Sequence, residues 1–281
     1  MFSPEGPSLR ELAVQALSSV EHGYDLLAPK FDHTPFRTPA PILDAVASAL
    51  ERMGPFDDGL DLCCGTGAGA EVLTGVCRGS VTGVDFSAGM LAVARERLPA
   101  GDPGPGDARS AGPGAAGPRI AGSPGVGPRA AEPRAVEPRA AGPRVGWVRG
   151  DARALPFASA FDLVVSFGAF GHFLPRELPG LFAQVHSVLR PGGRFAFPVL
   201  APPRPGSAGY WLLSGFDAVM KVRNAVWRPP FVMYYRDFRL PYVWRELERA
   251  GFRVELHALP EFGRRDDGSP RARLLAARRP A

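Results

Sequence analysis

Apolar residues recur at helical spacing from the first turns of the chain. Leu9, Leu12, Ala16, Leu17 and Val20 accompany Ser8-Leu-Arg-Glu11, whose serine and glutamate have capping-box spacing, so a helix is predicted to start at Ser8 and run through Val20. Ile42, Leu43, Val46 and Leu50 share one face of a second helix, from about Pro41 to Met53. The period then changes. A short apolar run from Gly59 enters a glycine-rich turn, followed by a helix over Ala68–Val76, a strand over Val81–Asp85 and a helix over Ala88–Leu98. Farther on, strands are expected over Val145–Arg149 and Phe161–Phe167, and an amphipathic helix over Leu178–Leu189 ends at Arg190-Pro-Gly-Gly193. A strand over Arg194–Leu200, a helix over Tyr242–Ala250 stopped by Gly251, and strands over Phe252–Leu259 and Arg271–Ala277 complete the series. Strand and helix alternate throughout, which predicts an α/β fold: a doubly wound, mostly parallel seven-stranded sheet with helices on both faces.

The alternation is interrupted at 100–144. Arg129, Arg134, Arg139 and Arg144 close consecutive five-residue units, each arginine preceded by a proline, and almost nothing apolar is larger than Val or Ile. Such a segment cannot bury enough surface to offset the entropy of ordering it, and it reads as a disordered, partly extended insertion. Its six arginines face four acids. A tether or docking arm is one reading; a tolerated low-complexity expansion of a surface loop is the ordinary one. The organisation expected is an N-terminal helical cover over 1–56 and one domain over 57–281, carrying the insertion at 100–144 and an aromatic-rich cover at 201–240.

Composition narrows the function classes. The 281 residues are 45% hydrophobic with a formal charge of +5. Lys30 and Lys221 are the only lysines, and the arginines form no run of five or six like charges, so nucleic acid is not expected as a partner. No apolar run reaches membrane-spanning length, and Met1–Glu11 lacks the basic-then-apolar order of a secretory leader. Cys63 and Cys64 are adjacent and Cys77 stands alone, which fits neither a disulfide framework nor a CxxC metal site. A cytoplasmic protein without membrane association or bound metal is expected.

In a sheet of this kind ligands bind beyond the carboxyl ends of the strands, so the first strand–helix turn carries most information. Gly65, Gly67 and Gly69 let the backbone bend and approach a ligand closely. Asp85 ends the second strand, where a carboxylate can accept both hydroxyls of a ribose. Gly65-x-Gly67-x-x-Ala70 with Asp85 also satisfies the dinucleotide fingerprint. Asp61 discriminates, because a carboxylate at the mouth of the turn repels a diphosphate but suits a cofactor charged as ammonium and sulfonium. A helix or turn cap is the bland alternative for Asp61.

Leu60-Asp-Leu-Cys-Cys-Gly-Thr-Gly67 resembles motif I of the class I S-adenosylmethionine-dependent methyltransferases, and four further segments follow in the family's order. Gly83–Leu91 resembles its second-strand motif, Gly150–Phe157 its third-strand loop, Phe161–Ser166 its fourth strand and Leu189–Arg194 the turn before its fifth. Tyr24–Asp32 is similar to the N-terminal stretch that covers the cofactor in small-molecule members. The resemblance implies a Rossmann-like fold and S-adenosyl-L-methionine as cofactor. It implies that Asp61 and the turn Gly65, Thr66 and Gly67 hold the methionine moiety and that Asp85 holds the ribose. Phe86 and Met90 would pack on the adenine, Asp151 would accept from its exocyclic amine, Ala152 would offer a backbone donor, Ser166 would line the floor near the methyl, and Tyr24 would cover the site. Gly89 departs from the pattern, standing where a bulkier helix residue is usual.

Methyl transfer from a sulfonium is an in-line displacement, so positioning the nucleophile contributes most. A general base is needed only for an acceptor that arrives protonated. His172, just past the fourth strand, is the candidate, with a capping or backbone-bonded histidine as the alternative. His33 and Tyr24 are weaker candidates. Arg37 could pair with the cofactor carboxylate, a solvated arginine being the ordinary reading. Tyr210, Trp211, Trp227, Tyr234, Tyr235, Tyr242 and Trp244, with Phe216, Met220, Phe231, Met233 and Phe238, either line a pocket for a flat or greasy small molecule or bury the insertion that carries them. Ser166-Phe-Gly-Ala169 lacks the Asn/Asp-Pro-Pro-aromatic signature of exocyclic base methylation. The expectation is methyl transfer to oxygen, nitrogen or carbon of a small organic acceptor. The alternatives are an RNA or protein methyltransferase that docks through the arginine-bearing insertion, and a non-catalytic cofactor-binding regulatory protein.

Overall fold

The computed structural model describes residues 5–34, 36–99, 142–228, 231–234 and 239–281. Nearly all of the proline- and arginine-rich insertion, with its expected disorder, lies outside the described residues, as do Tyr235 and Phe238 of the aromatic cover.

Seven strands form one sheet in the order β3-β2-β1-β4-β5-β7-β6. They are β1 (Phe56–Leu62), β2 (Cys77–Asp85), β3 (Arg144–Arg149), β4 (Phe161–Val165), β5 (Leu189–Leu200), β6 (Arg253–Ala258) and β7 (Ala272–Arg278). β1 through β5 pair in parallel, and β7 runs antiparallel between β5 and β6. Because β1 to β5 are parallel and the strand order reverses between β1 and β4, the carboxyl ends of β1, β2, β4 and β5 open on the same edge. The Rossmann-like expectation is met.

Alternation along the strands fills both faces. Leu60, Leu62, Val164, Phe195 and Phe197 turn to one side and bury Leu181, Phe182 and Val185 of α6 (Leu178–Val188) and Val243 and Leu247 of α8 (Leu240–Arg249). Val81, Leu163, Val165 and Leu274 turn to the other, against Ile42, Val46 and Leu50 of α3 (Ala40–Met53) and Leu73 of α4 (Ala68–Val76). Each large side chain so buried contributes about 1.5–3 kcal/mol. The apolar face of α3 therefore belongs to the sheet layer, and of the expected N-terminal cover it is the residues before α3 that reach the site.

The cover begins with α1 (Leu9–Leu17), whose capping box forms as expected: Ser8 Oγ accepts from the Glu11 amide at 3.3 Å and Glu11 accepts from the Ser8 amide at 2.6 Å. The helix does not continue through Val20. Ser18 turns its hydroxyl onto the Val14 carbonyl at 2.7 Å, and Ser19 caps a new helix, α2 (Val20–Leu27), which a 3-10 turn over Ala28–His33 extends. Two adjacent serines favour side-chain bonds to the backbone over helix continuation. α5 (Ala88–Arg97) follows β2, and α7 (Ala208–Val226) supplies a long helix after β5 where only an aromatic-rich cover was expected.

Candidate active site

A cavity of about 1730 Å³ lies where the carboxyl ends of β1, β2, β4 and β5 meet the cover. Its floor is made by the turn after β1. Cys63, Gly65 and Gly67 take φ values of 56°, 52° and 86°, a left-handed path that brings backbone rather than side chains to the cavity. The strained cysteine has no signature in the sequence. Gly67 itself does not line the cavity: a Cβ there would meet Trp147 at 2.9 Å, so this glycine serves packing beneath the turn.

Asp61 sits under the first turn of α4, pressed so closely that a Cβ on Gly69 would lie 2.6 Å from its carboxylate. It is 1% exposed, and burial, with the nearby Asp85 carboxylate adding to it, pushes its pKa up to about 8. The Ala70 amide offsets part of that, while Oδ2 has no hydrogen-bond partner among the described residues. A buried acceptor without a partner is costly and marks a place where a ligand donor completes the structure. Arg37 also lines the cavity, with its Nε buried and unbonded and 3.5 Å from Asp32 Oδ1. An acceptor without a partner and a cavity-lining guanidinium fit a ligand that carries both an ammonium and a carboxylate.

Asp85 closes β2. Its carboxylate accepts from the Gly65 amide at 2.9 Å and the Ser87 amide at 2.9 Å, which fixes both oxygens and leaves lone pairs toward the cavity. Burial raises its pKa, and those amides work against the rise. Thr66 donates to Asp32 Oδ1 at 2.7 Å and so ties the turn to the cover. Phe86, Met90 and Ala152 line the cavity together with Asp151. Asp151 is already forked with Arg153, at 3.0 Å to Nε and 2.8 Å to Nη2, and this guanidinium holds its carboxyl below the usual range. Ser166 is at the floor, with its hydroxyl spent on the Leu62 carbonyl at 2.9 Å.

Tyr24 of α2 and His172, in a 3-10 turn after β4, are 148 residues apart in sequence and meet in the cavity: the Tyr24 hydroxyl is 2.8 Å from His172 Nε2. His172 Nδ1 is 2.7 Å from the Val232 carbonyl. A carbonyl can only accept, so Nδ1 carries the hydrogen and Nε2 presents a lone pair, to which Tyr24 donates. Burial lowers the His172 pKa, partly offset by Val232, and keeps the ring neutral. His33 does not line the cavity; it faces Glu5 at 3.3 Å.

The aromatic segment divides between the two readings. Met220, Phe231, Met233 and Tyr234 form a buried cluster with Phe216 and Tyr24, while Tyr210, Met233 and Tyr234 also line the cavity. Trp211 and Trp227 are instead 65% and 49% exposed, outside the site. Neither Tyr242 nor Trp244 lines the cavity, and the Tyr242 hydroxyl donates to the Pro175 carbonyl.

Residues 60–110 and 125–193 match the family described as a methyltransferase domain. Among curated proteins none matches the chain. Solved structures share the fold at low identity. A SAM-dependent methyltransferase from Methanosarcina mazei is 17% identical over 81% of this chain and 94% of its own, with a TM-score of 0.50. A protein of echinomycin biosynthesis, where a disulfide bond is converted into a thioacetal group, is 18% identical over 92% and 93%, with a TM-score of 0.51. A candidate O-methyltransferase from Nostoc punctiforme is 15% identical, with a TM-score of 0.58, over 94% of this chain and 62% of its own.

Proposed function

We propose that the chain, whose residues 60–110 and 125–193 match a methyltransferase domain, is a class I, S-adenosylmethionine-dependent enzyme that methylates an oxygen, nitrogen or carbon of a small organic acceptor held under the N-terminal cover. S-adenosylmethionine, when bound, supplies an electrophilic methyl on a sulfonium. Asp61 would take its ammonium and Arg37 its carboxylate, with Gly65, Thr66 and Gly67 shaping the turn around them. Asp85 would accept from the ribose hydroxyls through its remaining lone pairs. Phe86 and Met90 would pack the adenine, Asp151 and Ala152 would meet its edge, Ser166 would form the floor and Tyr24 the roof.

The observation that carries the catalytic reading is the chain from Tyr24 through His172 to Val232. His172 Nε2 is a lone pair held neutral by burial and oriented from behind. Through the Tyr24 hydroxyl, which already donates to it, His172 would take the proton that the acceptor loses on accepting the methyl group. A cavity of about 1730 Å³ exceeds the roughly 300–1,000 Å³ typical of one small ligand, which supports room for cofactor and acceptor together. Phe31, Phe36, Met233 and Tyr234 line it, favouring a flat or apolar acceptor.

The test is turnover of a panel of small phenols, acids, amines and enols, read as S-adenosylhomocysteine formed. Turnover of a panel member that His172→Gln abolishes supports the proposal. Methyl incorporation into RNA or protein with none into small molecules would replace it.

A further inference from the structure

Asp25, on the cavity-facing helix of the cover, is tied to the first turn of α5. Its Oδ1 accepts from the Ser87 hydroxyl at 2.5 Å and from the Gly89 amide at 2.8 Å. Ser87 is the cap of α5: its Oγ accepts from the Met90 amide at 3.1 Å, and its own amide donates to Asp85 Oδ1 at 2.9 Å. One carboxylate on the cover therefore bonds, directly or through a single hydroxyl, the segment that aims Asp85, Phe86 and Met90 into the cavity. Gly89 makes this approach feasible. A Cβ at that position would stand 3.0 Å from the Asp25 Cα and 3.0 Å from its carbonyl oxygen, so any larger side chain lifts α2.

Two further acids of the cover make parallel ties. Glu21 pairs with Arg149 at 2.6 Å, and the same guanidinium donates to the Phe86 carbonyl at 3.1 Å. Asp32 holds the Thr66 hydroxyl of the first turn and is paired with Arg97 of α5. All three acids reach segments that carry expected cofactor residues.

We propose that Asp25 is a positioning residue that makes closure of the cover and shaping of the cofactor site a single event, with Gly89 as the glycine that admits it. The inference rests on the reading that Asp85, Phe86 and Met90 contact the cofactor. Thermodynamic reciprocity then requires that S-adenosylhomocysteine protect α2 from opening and that loosening α2 weaken the ligand. It also accounts for Gly89, since a bulkier residue there would favour α5 as a helix but separate it from α2.

The experiment is titration of the full chain with S-adenosylhomocysteine, joined to deuterium exchange over Val20–Leu27 with and without it. Asp25→Ala and Gly89→Leu are each expected to weaken the ligand about tenfold and to raise exchange in α2. Asp25→Asn, which keeps an acceptor, is expected to restore most of both. The double variant is expected to lose about tenfold rather than a hundredfold, because both changes break one contact. Affinity within twofold of wild type in both single variants, or ligand protection of α2 that survives them, would overturn the proposal. Asp85→Ala separates the two failures: if it too leaves affinity unchanged, the underlying site reading fails, and if it alone abolishes binding, only the coupling does.

Discussion

The two walls of the cavity are built differently. On the sheet wall, Asp85 and the 65–67 turn are held by backbone amides of two successive strand–helix turns, and Asp61 by the helix that starts seven residues on. On the cover wall, every functional contact joins segments remote in sequence: Tyr24 to His172, His172 to Val232, Asp25 to Ser87, Asp32 to Thr66. The sheet wall is a local device, able to recur wherever a strand, a glycine turn and a helix succeed one another. The cover wall exists only when the whole chain is folded. In the proposed function most cofactor contacts fall on the sheet wall and the proton-transfer pair on the cover wall, while Arg37 and Asp25 link the cover to the cofactor site.

That division can be broken at the cover first. His172→Gln is expected to lower turnover about a thousandfold while S-adenosylhomocysteine binds within twofold of wild type, measured by turnover assay and titration in parallel. Equal losses in both would merge the two walls into one. On the sheet side, Asp61→Ala or Asp85→Ala should weaken the same ligand about a hundredfold, since each removes a charge-assisted contact inside a buried site.

A pH series sharpens the contrast. Asp61 ionises at about 8 in the ligand-free protein, so below that pH binding of an ammonium must first expel its proton. Affinity should therefore rise by up to about tenfold per pH unit between pH 6 and 8, and lose this slope in Asp61→Asn. Smaller effects report on scaffolding alone. Gly83→Ala drives a Cβ to 2.4 Å from the Trp147 ring and should cost about 2 kcal/mol in thermal or denaturant unfolding. Ser8→Ala removes the cap of α1 at the edge of the cover and should cost about 1 kcal/mol or less by the same measurement.

Legibility followed the same division. The seven strands, six of the helices and the first turn could be read because apolar runs and turn residues sit side by side in sequence. α7 could not. Leu212, Val219, Val222 and Val226 on its outward face are 64–77% exposed, while Asp217 is buried beside Met220, so apolar residues lie on both sides and no clean polar face signals the helix. The Ser18-Ser19 doublet carried the break between the first two helices, but the spacing of Leu17 and Val20 masked it. Arg37 looked like a solvated surface residue because nothing local shows that its Nε becomes buried beside Asp32. The pairing of Tyr24 with His172 depends on a crossing that no spacing encodes. Gly89, in contrast, was visible as a departure whose reason, the close approach of Asp25, only the fold supplies.

In the proposed function a buried, protonated Asp61 waits for the ammonium of the cofactor. Titration calorimetry with S-adenosylhomocysteine at pH 7, in buffers of different ionisation enthalpy, counts the protons exchanged on binding. Release of about one proton by the wild-type protein, and none by Asp61→Asn, is the predicted result. Binding without proton release, or release that persists in Asp61→Asn, would contradict it.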